Sequence, residues 1–509
     1  MFLVRASPLR WPVTVGSLIA LIPSFFFGWF ILAGTFRFGL GDDRVGRSEY
    51  FSALGAALAQ GRLSTPANFL EFECFIVDGE CVGYFGPVPA LLRLPALVIA
   101  GMDPLPDITI PMMLAAWLLW LVALFVLIRS IVRALPHVLL PPIVSGMVAA
   151  AVTALASVGS PVFFLLSRPY VYEEALLWAV TFALWSVVFL WLWWKSRHTT
   201  YLIVAFILGI VTIQTRFPTG VGIAAVFAFV GLLLPRQWGW RSRAFVLTQP
   251  VVALASYAVI NWMRFGLLFS RPESAALSVS GDPDRLELYE QSGFVSPGYI
   301  IDGIVAFWRP DGVGFKDGFP WITFPYVPSI VPPPLGSTET SIFGLTITLP
   351  VNEFVELEPV ASLPGTQLLS LMLLGLVLVG LTIRRQWLPR IPQLDRLMGA
   401  VLLGLAVAPA IMLVSKYKAH RYVAEAAPLL AFSVLMAAAL SMYMMSRSNS
   451  WGRYLVAAGL LFGALVQAWI QYSLVLEFWP IWTDSPQYAF YRTPIHEEFW
   501  RGLLPFVPW

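Results

Sequence analysis

Eleven apolar runs, almost free of charge, decide what this chain can become. They fall at 11–36, 108–128, 138–156, 175–194, 201–215, 217–234, 244–263, 367–383, 397–415, 423–445 and 454–476. A bilayer core about 30 Å thick takes around 20 residues of helix to cross, and most of these runs come close to that or exceed it. Inside the core every backbone N–H and C=O must be bonded within its own segment, so each run is expected as an α-helix. Charged residues are only 12% of the 509, against roughly 25% in soluble domains, too few to coat a water-facing surface. The expected fold class is an all-α polytopic membrane protein with about 11 transmembrane helices. A soluble enzyme, a nucleic-acid module and a disordered scaffold are excluded.

Basic residues set the orientation. With the N-terminus inside, the short cytoplasmic links hold Arg5, Arg10, Arg129, Arg133, Lys195, Arg197, Arg236, Arg241, Arg243, Arg384, Arg385, Arg390, Arg396, Arg447 and Arg453. These fifteen face one acid, Asp395, and short links are where positive charge fixes topology best. The chain is thus expected N-in and C-out, with a transmembrane domain over 1–476 and an extracytoplasmic tail over 477–509. The stretch 88–100 carries Pro89, Arg93 and Pro95 and is expected to lie along the interface as an amphipathic helix. Were it to span, every later link would change sides and the charge rule would fail. The first run has 26 uncharged residues, too long for the apolar core of a signal peptide, and is expected as a retained anchor.

Two outer connections, 37–107 and 264–366, exceed what a simple connector needs, and loops of that length are usually functional. The second is rich in Gly, Pro and aromatic residues and is expected as an ordered cap with little helix. In the first, Asp42, Asp43 and Glu49 stand just beyond the first span. Carboxylates there either solvate the helix end or do chemistry, as a general base or as ligands to a divalent cation. Cys74 and Cys81 are the only cysteines; on the oxidising side such a pair is expected to close a disulfide. Asp78-Gly79 between them marks a hairpin turn. No Walker, dinucleotide or zincin pattern and no internal repeat occurs.

The next outer connection reads Ser167-Arg-Pro-Tyr-Val-Tyr-Glu-Glu. Glu173 and Glu174 suit the first turn of a helix; beside Arg168 and Tyr172 they are equally placed to hold a metal or a sugar. Further on, Lys416, Lys418, His420 and Arg421 crowd an outer helix boundary, where positive charge is disfavoured unless something negative compensates. A phosphate fits, because guanidinium presents a fork that matches its oxygens; lipid headgroups or loop acids are the other partners. Glu425 needs one of these cations at its depth, and Arg216, between two short runs, can reach the same cavity.

One span, then Asp-Asp…Glu-Tyr-Phe…Gly-Arg-Leu, then Asp-Gly…Tyr-Phe-Gly-Pro-Val-Pro-Ala-Leu-Leu, with Asn261-Trp-Met-Arg-Phe-Gly and Arg421-Tyr422 later, resembles the C-type glycosyltransferase (GT-C) superfamily. The likeness is to bacterial protein mannosyltransferases, aminoarabinose transferases and arabinofuranosyltransferase-type enzymes. It covers most of the chain as an arrangement. It implies a glycosyltransferase that takes a hexose or pentose from a polyprenyl-phosphate donor and passes it to a glycan, lipid or protein acceptor. The reaction would lie on the outer face of a bacterial inner membrane, among membrane lipids and without nucleic acid. The resemblance puts the catalytic base at Asp43 or Asp42, with Glu49 third, because the chain has Asp-Asp where relatives commonly have Asp-Glu. It matches Glu173 and Glu174 to a second acidic position for acceptor or metal. It assigns the donor phosphate to Arg421 and His420, helped by Lys416 and Lys418, and leaves the reaction metal-free or assisted by magnesium or manganese. The rival readings are a multi-pass transporter, which needs ionisable sites near the midplane, and a non-catalytic envelope-assembly subunit.

Overall fold

Helices occupy all eleven predicted runs in the computed structural model, which describes residues 10–34, 49–100, 108–133, 139–234, 238–280, 286, 293, 295–309, 312–324, 337–342, 345–350, 360–383, 394–482 and 496–502. In chain order they are α1 (Arg10–Ala33), α2 (Tyr50–Ala59), α3 (Val88–Ala100), α4 (Thr109–Arg133), α5 (Pro142–Ala156), α6 (Pro161–Leu165), α7 (Val171–Ser196) and α8 (Thr199–Ile213). They continue as α9 (Phe217–Leu233), α10 (Gly239–Phe265), α11 (Ile300–Trp308), α12 (Leu368–Ile383), α13 (Leu394–Leu405), α14 (Val407–Val414), α15 (Ala427–Ser446) and α16 (Ser450–Trp482).

Among the described residues seven helices are long and apolar enough to cross a membrane: Trp11–Ala33, Thr109–Arg133, Val171–Ser196, Gly239–Phe265, Arg396–Val414, His420–Ser446 and Trp451–Glu477. Helices α5, α8, α9 and α12 have 15, 15, 17 and 16 residues. At 1.5 Å per residue each reaches roughly 22–26 Å, short of a full core.

Two helices form the centre. Every residue in the most apolar window of His420–Ser446 is buried, and 78% of that in Val171–Ser196, against 22% in Trp451–Glu477. The peripheral helices turn large apolar side chains outward, Leu455 and Phe462 among them at 70% exposure, as helices facing lipid do. Polar side chains tie the helices together at a few points. Gln467 on α16 donates to Gly159 O (2.7 Å) and to Gln367 Oε1 (3.0 Å), and accepts from Leu369 N (3.1 Å), tying three segments at one point.

Helix α3 inverts the usual amphipathic arrangement. Leu91, Leu92, Val98 and Ile99 are exposed, whereas Arg93 is completely buried against α2 and α7. The charge faces in and the grease faces out.

The first outer loop is built on the hairpin Phe75–Val77 with Glu80–Val82, turning at Asp78 (φ 52°) and Gly79 (φ 81°), the left-handed pair that a two-residue hairpin turn requires. Cys74 and Cys81 are bridged across its base. Leu277 N donates to Cys74 O at 2.9 Å, so the hairpin is joined to the start of the second outer loop. That loop contributes α11, which packs on α14, and short two-stranded pieces such as Gly314–Phe315 with Ile322–Thr323. The segment following the hairpin is pressed onto the α8–α9 turn so closely that a Cβ on Gly86 would lie 1.8 Å from Gln214 O. Only glycine passes there.

Candidate functional site

The two central helices begin on the same side of the bundle, and their first turns meet. Tyr170 N-caps α7 in extended conformation, and Tyr172, Glu173 and Glu174 follow in its first turn. The 3-10 turn His420–Ala426 leads into α15, where Pro428 sits at the start, in the position a helix tolerates it. Arg421 lies with Cζ 4.2 Å over the Tyr172 ring and 5.4 Å from the Tyr422 ring, and Arg216, the N-cap of α9, lies 5.2 Å over Tyr422. Two guanidiniums and two tyrosines from three separate segments thus form one stack, with Tyr417 5.7 Å from Arg421.

The acids divide by partner. Glu425 takes Arg216 Nε at 2.5 Å on one oxygen and the Thr219 hydroxyl on the other, so the Arg216 charge is met from within the protein. Glu174 is paired with Arg93, both fully buried. Arg93 also donates to Ser52 Oγ (2.8 Å) and Thr109 Oγ1 (2.9 Å), pinning α2, α3, α4 and α7 together. Glu173 differs: it is 3% exposed, and its Oε2 has no hydrogen-bond partner among the described residues. A buried carboxylate oxygen left open is the kind of group that marks a ligand site.

The remaining cations are spent unequally. Lys418 donates its three protons to Met412 O (3.1 Å), Leu413 O (2.8 Å) and Ser415 O (2.5 Å), closing the C-terminal end of α14. Burial lowers that ammonium to about 8, with Asp302 opposing, so it stays mostly charged at neutral pH. Lys416 is fully buried, and His420 packs against the Phe164 ring at 4.5 Å, edge to face. Arg168 stacks over Tyr170 at 4.2 Å. Glu49 precedes α2, its carbonyl accepting from Ser52 N and Ala53 N at 3.0 Å. Asp42 and Asp43 lie outside the described residues.

The geometry adds groups that the sequence reading passed over. Tyr84, from the Gly-Tyr-Phe-Gly stretch, shares a hydrogen bond with Tyr172. Burial holds its phenol well above the usual range, Glu73 and Tyr422 push the same way, and Arg271, 4.7 Å over its ring, opposes them. It therefore remains a hydroxyl donor at any physiological pH. Arg93 and Arg264 are also buried here. The signal for Arg93 was present: an isolated charge inside an apolar stretch is costly and has a reason.

Among the described residues no three His, Cys, Asp or Glu side chains gather into a metal site. The Oε2 of Glu173 is a buried carboxylate oxygen with no hydrogen-bond partner among the described residues, a donor suited to a hard cation such as magnesium or manganese.

No protein-family model and no curated protein matches the chain. Among solved structures it is similar to the archaeal oligosaccharyltransferase AglB from Archaeoglobus fulgidus, in complex with an inhibitory peptide and a dolichol-phosphate. The identity is 12% and the TM-score 0.49, covering 90% of this chain and 55% of that one. The apo form of the Archaeoglobus fulgidus oligosaccharyltransferase gives 13% identity, TM-score 0.49, and coverage of 94% and 60%. The same enzyme tethered to an acceptor peptide gives 14%, 0.43, and 94% and 59%. The chain spans 55% to 60% of the length of these proteins.

Proposed function

We propose that the chain is a membrane glycosyltransferase that moves a sugar from a polyprenyl-phosphate donor to an acceptor hydroxyl on the extracytoplasmic face, crossing the membrane eleven times, N-in and C-out. The observation that carries this reading is an apolar groove ending on a cationic stack. It encloses about 60 Å³ and runs between α11, α12, α14 and the start of α15, lined by Phe307, Leu371, Met412, Val423 and Leu430. At one end it meets Tyr422, the ring shared by Arg421 and Arg216. A ligand that fits both parts is a long hydrocarbon with an anionic head.

The chemistry is the one implied by the resemblance to C-type glycosyltransferases. Asp43 takes the proton of the acceptor hydroxyl as its oxygen attacks the anomeric carbon, and the carbon–oxygen bond to the carrier phosphate breaks with inversion. Arg421 stabilises the charge that develops on the departing phosphate, with His420 and Lys416 behind it. Arg216 acts through Tyr422 and Glu425 and holds the stack in place. A magnesium or manganese ion on Glu173 would supply electrostatic help to the same phosphate; proton removal belongs to the chain itself. The acceptor is a glycan, lipid or protein hydroxyl, and a bacterial inner membrane is the setting.

Leu371 is half-buried on the groove wall, so Leu371→Trp fills the groove at little cost to folding. The expected result is a KM for long-chain polyprenyl-phosphate sugars raised about tenfold or more, the equivalent of 1.4 kcal/mol, with kcat kept and short-chain donors unaffected. Equal KM for long and short donors in both proteins contradicts the groove as the lipid path.

A further inference from the structure

Helix α11 in the second outer loop carries its apolar side chains on the wrong face for a helix bathed in water. With 3.6 residues per turn, Ile300, Ile301, Ile304 and Trp308 fall within an arc of about 100°. They are 38%, 52%, 47% and 45% exposed. Gly303, Ala306 and Phe307 are buried on the other side. The charges of the segment turn away from the outward arc. Asp302 is half-buried and acts on Lys418, the ammonium that closes α14. Arg309, directly after the helix, is 3% exposed and donates to Ala306 O (3.2 Å) and Val360 O (2.6 Å). A helix on the surface of a soluble protein shows its polar residues to solvent; α11 does the reverse.

Its depth is fixed by its neighbours. Gly303 lies where a Cβ would be 2.6 Å from Leu413 O, so the backbones of α11 and α14 touch. Just before the helix, Ser296 N donates to Val414 O at 2.9 Å. Val414 is the last residue of the membrane-length helix Arg396–Val414. Trp308 shares the walls of the apolar groove with Leu413 and with Leu374, which stands in the second turn of α12. The outward arc of α11 is therefore level with the last turn of a membrane span. At roughly 13 Å long, it offers far less than the about 800 Å² that each partner buries in a stable protein interface. Acyl chains accept such a face without a minimum area, and a Trp at its edge is the residue type that the membrane interface favours.

We propose that α11 is an interfacial helix lying in the membrane, its Ile300, Ile301, Ile304 and Trp308 face covered by lipid of the leaflet on that side. In the orientation given above this is the outer leaflet. Because Trp308 belongs both to this face and to the groove wall, the rim of the groove at α11 borders lipid. The placement of the helix stands whether or not the chain transfers a sugar.

The test uses the full chain in lipid nanodiscs. Cys74 and Cys81 are the only cysteines and are bridged, so Ile301→Cys and Ile304→Cys each add a single free thiol for a nitroxide label. Phe462→Cys, on the outward side of α16, is the lipid reference, and Arg62→Cys, exposed after α2, is the water reference. Collisions of each label with oxygen, which concentrates in lipid, are compared with those of a water-soluble nickel chelate. Oxygen is expected in excess at both α11 positions, as at Phe462, with the ratio inverted at Arg62. Both α11 positions are exposed, so the labelled variants should unfold at the wild-type temperature. Nickel in excess at both α11 positions puts the helix in water and overturns the proposal. Poor access for both reagents also overturns it: spin–spin broadening between chains then identifies a second copy as the cover, and its absence identifies the chain's own segments.

Discussion

Replacing Asp43 with asparagine is expected to lower kcat for sugar transfer by about 10²- to 10⁴-fold, the range a positioned general base contributes. Asparagine keeps the size and polarity of the side chain and removes its capacity to take a proton, so donor binding and the unfolding temperature should stay close to the wild type. Asp42→Asn and Glu49→Gln are expected to cost less. Glu49 stands where its carbonyl opens α2, six residues beyond Asp43 in the sequence, and its carboxylate favours that helix end through the dipole. The measurement is single-turnover transfer from a polyprenyl-phosphate sugar by the purified variants. Near-normal turnover in Asp43→Asn removes that residue from the chemistry, and a larger loss in Asp42→Asn or Glu49→Gln moves the base to the residue affected.

The second large effect concerns stability. Glu174→Ala is expected to destabilise the protein by about 3–5 kcal/mol, because it leaves Arg93 buried without its counter-charge. Arg93 is fully buried and has Ser52 and Thr109 as its other acceptors; two hydroxyls do not offset a full positive charge. The double variant Arg93→Met with Glu174→Leu is expected to recover most of the loss, since well-packed apolar residues replace a buried pair at little cost. Thermal unfolding in detergent measures both. If Glu174 instead serves the acceptor or a metal, the single variant loses transfer while keeping its unfolding temperature, and the double variant does not regain activity. Glu173→Gln is the matched control, because the Oε2 of that acid has no hydrogen-bond partner among the described residues.

What the sequence made legible was set by local physics. Apolar runs announce membrane helices whatever their neighbours are, and Asp78-Gly79 announces its hairpin because few residue pairs accept that turn. Arg421 and Tyr172 both stood at outer helix ends in the sequence, but nothing in it pairs them as the structure does. What lay hidden were pairings between distant positions. Glu174 finds Arg93 across 81 residues and Glu425 finds Arg216 across 209, and no periodicity encodes such choices. Glu173 and Glu174 look alike in sequence, yet successive helical residues point about 100° apart. Glu174 therefore faces Arg93 and Glu173 does not. Lys418 was equally opaque: its composition suits a phosphate, but the three carbonyls at the end of α14 take its protons. Arg264 was visible only as part of a motif, and its bond to Phe85 O appears once the first outer loop is in place.

The central claim is sugar transfer from a lipid phosphate, and it is tested most directly by a panel of radiolabelled polyprenyl-phosphate sugars given to the purified protein in lipid, wild type beside Asp43→Asn. The account predicts that at least one hexosyl or pentosyl carrier is consumed by the wild type, with release of the polyprenyl phosphate, and that this release disappears in the variant. If no carrier is bound or consumed while a soluble solute enters proteoliposomes containing the protein, the chain is a transporter and the transferase account is wrong.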